Sequence, residues 1–163
     1  MVATTKPFLS LTANDLMSRD VILIPQDMSL RSAAHLLSQS HITGAPVVDG
    51  QGRCIGVVSA TDFLRWAEGS SDTLHDHAAP PAQSVCSEWQ VIDLEMLPPD
   101  AVREYMTPDP VTVSPTASIR ELARLMLDAH IHRVVVVDKQ HRPAGIVSTT
   151  DILAAVAYGD HAE

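Results

Sequence analysis

"GVVSATD" occupies Gly56–Asp62 and "GIVSTTD" occupies Gly145–Asp151, 89 positions apart. Each is a short apolar run ending in hydroxyls and a carboxylate. Ser-x-x-Asp is the spacing of a capping box, in which a hydroxyl and a carboxylate satisfy N–H groups at a helix start. The same groups also suit a polar ligand. Helix punctuation and ligand contact therefore both stand open for Ser59, Thr61 and Asp62, and for Ser148, Thr150 and Asp151.

The likeness extends well beyond the heptads. Shifted by 89 residues, Met17–Leu64 lies on Met106–Leu153 without a gap, and 19 of the 48 pairs are identical. Among them are Met17/Met106, Arg31/Arg120, His41/His130, Asp49/Asp138, Arg53/Arg142 and Gly56/Gly145. This is a duplication. Two copies are too few for a solenoid, and they suggest two similar units about a pseudo-two-fold axis.

Each copy predicts the same succession. A short helix ("TANDLM", "DAVREYM") leads into a β-rich run at 21–24 or 111–113. An amphipathic helix follows, with apolar positions Leu30, Ala33, Ala34, Leu36 and Leu37, and again Ile119, Leu122, Ala123, Leu125 and Met126. That is one stripe of a 3.6-residue period, with Ser29 and Ser118 placed as N-caps. Two strands joined by "DGQGR" or "DKQHRP" read as a hairpin. A last helix spans about 61–67 or 150–158, with Gly69 and Gly159 as stops. Each copy is β-α-β-β-α in a mixed α/β (α+β) fold. One copy of about 50 residues buries too little surface to stand comfortably alone.

Composition sets the outer bounds. The chain has 163 residues, 45% apolar but only 4% aromatic, so its core is aliphatic. No run approaches the roughly 18 apolar residues of a membrane span, and the N-terminus does not read as a signal peptide. The expectation is a soluble, cytoplasmic protein, with Cys54 and Cys86 as reduced thiols. A net charge of −9 argues against binding a nucleic-acid backbone. Residues 67–100 carry seven acids and no Lys or Arg, whereas the remainder has 13 acids against 11 bases. The expected division is therefore a first repeat at 1–67, an acidic insert or linker at 68–100 and a second repeat at 101–163.

"HITGAPVVDGQGRCIGVVSATDFL" and "HIHRVVVVDKQHRPAGIVSTTDIL", in this order of elements, resemble a tandem pair of cystathionine-β-synthase (CBS) domains over Leu11–Ala67 and Ala101–Tyr158. The second copy is the more typical, similar to the nucleotide-binding repeats of the gamma subunit of AMP-activated protein kinase. The resemblance implies pockets in clefts between the repeats that take AMP, ADP, ATP or S-adenosylmethionine as regulatory ligands. It implies that Asp151, and Asp62 in the first copy, accept from the ribose diol. Thr150 and Thr61 would contact phosphate, with Ser148 and Ser59 beside them. Thr112 and Leu23 would approach the base, and His132–Arg133 the phosphates. Chemistry agrees: a carboxylate suits two adjacent hydroxyls, a helix N-terminus favours phosphate, and Arg adds a bidentate contact. The copies differ, because Thr43–Gly44 stands where the second has His132–Arg133.

Other features have plainer readings. His41 and His130 follow the amphipathic helices, where a basic side chain complements the dipole. "HDH" at His75–His77 lacks the third fixed ligand a metal needs. The apolar Trp89, Val91, Ile92, Leu94, Met96 and Leu97 can dock the end of the insert on the body, as a tether or as a lid. No nucleophile–base pair, metal triad or phosphate-transfer loop appears, so an enzyme is not expected. The leading expectation is a regulatory sensor module that binds an adenosine-containing ligand and acts on a separate effector protein. The alternative is a ligand-free oligomerisation or interaction module. The resemblance implies a flat homodimer, which the apolar Ala154, Ala155, Val156 and Ala157 would suit.

Overall fold

The structure, a computed structural model, describes residues 6–69 and 93–158. His75–His77, Cys86, Trp89–Ile92 and the stop at Gly159 lie outside the described residues. The chain forms two compact units, and these do not simply follow the chain order. The first draws on residues up to Ile22, on Gly52–Cys54 and on residues from Pro110 onward. The second draws on Leu23–Gln51 and on the described residues of Ile55–Asp109.

In the second unit, strands β1 (Ile24–Pro25), β2 (Gly44–Val48), β3 (Cys54–Ser59) and β4 (Thr107–Pro108) form one sheet in that order. β1 runs parallel to β2, and β4 runs antiparallel to β3. Helix α2 (Leu30–Gln39) buries Leu30, Ala33, Ala34 and Leu37. Its N-cap is Ser29, whose Oγ accepts from the Ser32 N–H at 3.1 Å. Helix α3 (Ala60–Gly69) follows β3 and buries Phe63 completely.

The first unit repeats this plan. It begins with helix α1 (Ala13–Leu16) and a three-stranded sheet, β5 (Thr112–Val113), β6 (Arg133–Val137) and β7 (Pro143–Ser148). β5 and β6 are parallel, and β6 and β7 form an antiparallel hairpin. Helix α4 (Ile119–Asp128) starts with a full capping box between Ser118 and Glu121. Helix α5 (Thr149–Tyr158) closes the copy. Leu122, Met126, Val134, Val136 and Val147 form the core, together with Ala13 and Met17 from the leading segment. Mixed α+β architecture and the order β-α-β-β-α in each copy are as the sequence predicts.

The segment that leads each copy packs in the unit of the other copy. In the first unit, the Ala13 N–H donates to the Ala117 carbonyl at 2.8 Å and the Ile119 N–H to the Leu11 carbonyl at 2.9 Å. In the second, the Val102 N–H donates to the Met28 carbonyl and the Leu30 N–H to the Asp100 carbonyl, each at 2.8 Å. These are the same two bonds, 89 residues displaced. Ser18 bridges Ile146 antiparallel, just as Thr107 pairs with Val57.

Some elements are shorter than their sequence signals. The run 21–24 contributes only Ile24–Pro25, and 111–113 only Thr112–Val113. The parallel ladders engage only the buried residues Val47–Val48 and Val135–Val136 of their partners. The helix expected at "DAVREYM" is a single 3-10 turn, Val102–Glu104, whose N-cap Ala101 has no side chain to cap it. Its counterpart α1 has a capping box between Thr12 and Asp15.

Candidate functional site

Both Ser-x-x-Asp segments sit where a strand turns into a helix. In the first unit, the Ser148 N–H and Oγ both donate to Asp151 Oδ2 at 2.7 Å, and the Asp151 N–H returns a bond to Ser148 Oγ at 3.2 Å. In the second, the Ser59 N–H and Oγ donate to Asp62 Oδ2 at 2.8 and 3.1 Å. Each carboxylate thus spends one oxygen on the start of its helix. The capping role is real in both copies, and what distinguishes them is the other oxygen.

Asp62 Oδ1 is taken. Thr107 Oγ1 donates to it at 3.1 Å, and Arg65 Nη1 lies 3.6 Å away across one helical turn. The Asp62 side chain is 3% exposed. Asp151 is half-buried, and among the described residues nothing donates to its Oδ1. The positions equivalent to Thr107 and Arg65 are Ser18 and Ala154. Alanine has no donor, and Ser18 exchanges backbone bonds with Ile146 instead.

The sheet of the first unit brings the basic pair to this carboxylate. Arg133 stands opposite Ser148 in the β6–β7 register, and the Thr149 N–H donates to the His132 carbonyl at 3.0 Å. His132, Arg133 and Thr150 are exposed. Thr112 pairs with Val135, two residues along β6 from Arg133. It lines a cavity of about 450 Å³ with Ser114, Val137, Asp138 and Lys139. His132 and Thr149 line another, of about 520 Å³, walled by Met126, Leu127, Ile152 and Leu153. Ser148, Asp151 and His132–Arg133 are therefore neighbours, while Thr112 faces separate space. In the second unit Leu23 is exposed, just before β1, and Thr61 is exposed on α3.

Asp62 lines a cavity of about 580 Å³ with Arg65, Trp66, Glu104, Tyr105 and Thr107. Burial and the nearby Asp100 carboxylate, which accepts from the Tyr105 hydroxyl at 3.2 Å, push the Tyr105 phenol up. The ring stays neutral across the physiological range. Sequence reasoning missed Thr107, Tyr105, Arg65 and Trp66. Arg65 was within reach of a helical-spacing argument from Asp62, whereas Thr107 is 45 residues away and only the exchanged leading segment brings it in.

A family model described as "CBS domain" matches residues 13–69 and 102–158. An uncharacterized protein of Methanocaldococcus jannaschii, MJ1426, is 26% identical over 150 residues, covering 87% of this chain and 89% of that protein. The chloroplastic CBS domain-containing protein CBSX2 of Arabidopsis thaliana is 28% identical over 151 residues, covering 88% of this chain and 63% of that protein's length. A crystal structure of CBSX2 in complex with AMP aligns with a TM-score of 0.68 and 24% identity, covering 90% of this chain and 96% of that one. The CBS domain pair of MJ0100, solved with 5′-methylthioadenosine and S-adenosyl-L-methionine, aligns at 0.66 and 22% identity, covering 90% and 99%. These structural likenesses are ones of fold. Among the described residues, no helix is long and apolar enough to cross a membrane.

Proposed function

This chain belongs to the CBS-domain family, with two copies of the domain at 13–69 and 102–158, and from that premise we propose that it is a regulatory sensor whose Asp151 takes the ribose of an adenosine-containing ligand. AMP, ADP, ATP and S-adenosylmethionine are the candidates. One observation carries this reading: Asp151 is fixed through Oδ2 while its Oδ1 has no donor among the described residues, beside His132–Arg133. A capped carboxylate with one open oxygen is pre-set to accept from a diol. Arg133 supplies positive charge and His132 a ring N–H for phosphate, and Ser148 and Thr150 add hydroxyls at the helix start. Support also comes from relatives of this fold solved with AMP and with S-adenosylmethionine. Sensing requires that the ligand bind one conformation better than another. The output passes to an effector protein, in the cytoplasm, and the two copies themselves perform no catalysis.

The test is calorimetric titration of the full chain with each of the four ligands, paired with thermal unfolding. At least one should release heat and raise the melting temperature, as mass action requires. Asp151→Ala should weaken that binding at least tenfold while retaining its circular dichroism. No heat and no stabilisation from any ligand would overturn the reading.

A second reading, a module for self-association, has its own observation. Helix α5 buries no residue and exposes Leu153, Val156 and Tyr158, while α4 exposes Leu127. On this reading the chain is a homodimer, and Leu153→Glu shifts sedimentation equilibrium toward monomer.

A further inference from the structure

Duplication gave this chain two Ser-x-x-Asp carboxylates, and the structure treats them unequally. Asp62 Oδ1, the oxygen left over from helix capping, already has Thr107 Oγ1 at 3.1 Å and the Arg65 guanidinium at 3.6 Å. Those two groups offer what a ribose would offer, a hydroxyl and a neighbouring donor. The carboxylate's side chain is 3% exposed, and it borders a cavity of about 580 Å³. At Asp151 the corresponding residues are Ser18, engaged through its backbone, and Ala154.

We infer that Thr107 and Arg65 are selectivity residues that occupy Asp62 from within, so that the chain binds one adenosine ligand, at Asp151, instead of two. The inference rests on the sensor reading given above and adds to it the number of sites and the residues that set it. Burial decides between exclusion and displacement. A ligand diol would have to break the Thr107 bond at a carboxylate whose side chain is only 3% exposed, and would regain there no more than an equivalent bond. At Asp151 the open oxygen imposes no such exchange. The absence from the first copy of a basic pair like His132–Arg133 works in the same direction, since Thr43–Gly44 brings no charge to a phosphate.

The experiment measures stoichiometry on the full chain by calorimetry, with AMP and with S-adenosylmethionine as probes. Four forms are compared: wild type, Asp151→Ala, the unlocked pair Thr107→Val with Arg65→Ala, and the unlocked pair in the Asp151→Ala background. Wild type should take one ligand per chain and Asp151→Ala none at the same concentrations. The unlocked pair should take two, and the unlocked pair without Asp151 should recover one. Circular dichroism and urea unfolding confirm that each form is folded. Two ligands per chain in wild type would overturn the inference and leave the sensor reading standing. So would a folded, unlocked Asp151→Ala form that binds nothing although wild type binds. Failure of both probes on every form would overturn the sensor reading and this inference with it.

Discussion

At the scale of single residues, the two capping aspartates make different predictions for stability. Replacing Asp62 by Ala removes at one stroke the acceptor of the Ser59 N–H, Ser59 Oγ and Thr107 Oγ1. A hydrogen bond to a charged group contributes about 1.5–3 kcal/mol, so Asp62→Ala, which also loses the Thr107 bond, should cost more than loss of a cap alone. Asp151→Ala removes a cap from a half-buried position and should cost about 1 kcal/mol. Urea unfolding of the two variants checks the order, and equal losses would deny the asymmetry. Their common role was legible in the sequence, because Ser-x-x-Asp is a local pattern and helix capping is local physics. The difference was not legible, because Thr107 reaches Asp62 only through the tertiary fold.

His41 and His130 offer a second lesson at this scale. Each takes a positive φ, 54° and 53°. Each sits just past its helix, its N–H bonded to Ser38 or Leu127, while the next residue's N–H reaches Leu37 or Met126. This is a Schellman closure, with histidine at the left-handed position usually held by glycine. The sequence suggested a basic group facing the helix dipole, but backbone conformation is the larger constraint. An L-residue there costs about 1–2 kcal/mol, partly offset by the entropy that glycine loses on folding. His130→Gly should therefore leave stability unchanged or raise it by up to about 1 kcal/mol. His130→Val should lower it, and thermal unfolding separates the two outcomes.

At the scale of elements, the exchanged leading segments explain identities that the sequence could only record. Met17 packs on Gly145 and Met106 on Gly56, so closely that a Cβ on either glycine would collide with the methionine side chain. The duplicated methionines and glycines are thus contact partners, crossed between the copies. Gly145→Ala should destabilise by about 1–3 kcal/mol, as overpacking does, and Met17→Ala should recover part of that loss. A double-mutant cycle with no coupling would refute the contact. At Gly56 the Thr107 carbonyl is also 2.9 Å from the added carbon, so trimming Met106 should rescue Gly56→Ala less well. Strands, caps and the helical stripe were readable because each is written within a few residues. Which copy a leading segment would join was not, since both offer it the same partners.

At the scale of the whole molecule, the N-terminal segment that the first unit takes up is itself ordered partly by charge. Lys6 donates to Asp15 Oδ1 at 2.7 Å, and the Thr12 N–H and hydroxyl donate to Asp15 Oδ2 at 2.9 and 2.8 Å. The Lys6 contact, followed by the two Thr12 bonds, brings the Asp15 carboxyl down to about 2. A carboxyl depressed on folding contributes stability above its ordinary value, and that contribution fades as pH falls through the folded one. The ordered start of α1 should therefore weaken between about pH 4 and pH 2. Carboxyl NMR titration should find Asp15 low in wild type and higher in Lys6→Ala, while an unchanged midpoint would remove Lys6 from the account. Division into two similar units was legible from the 89-residue repeat. Their assembly from non-contiguous segments required the structure.

The account centres on a ribose diol at Asp151, and the most direct measurement compares AMP with its 2′,3′-dideoxy analogue on the wild-type chain by calorimetry. Base and phosphate are common to both, so only the hydroxyls facing the carboxylate differ. The account predicts that AMP binds and that loss of the diol weakens binding at least tenfold, about 1.4 kcal/mol or more. Equal affinities for the two would contradict it, because the open oxygen of Asp151 would then have no part in recognition.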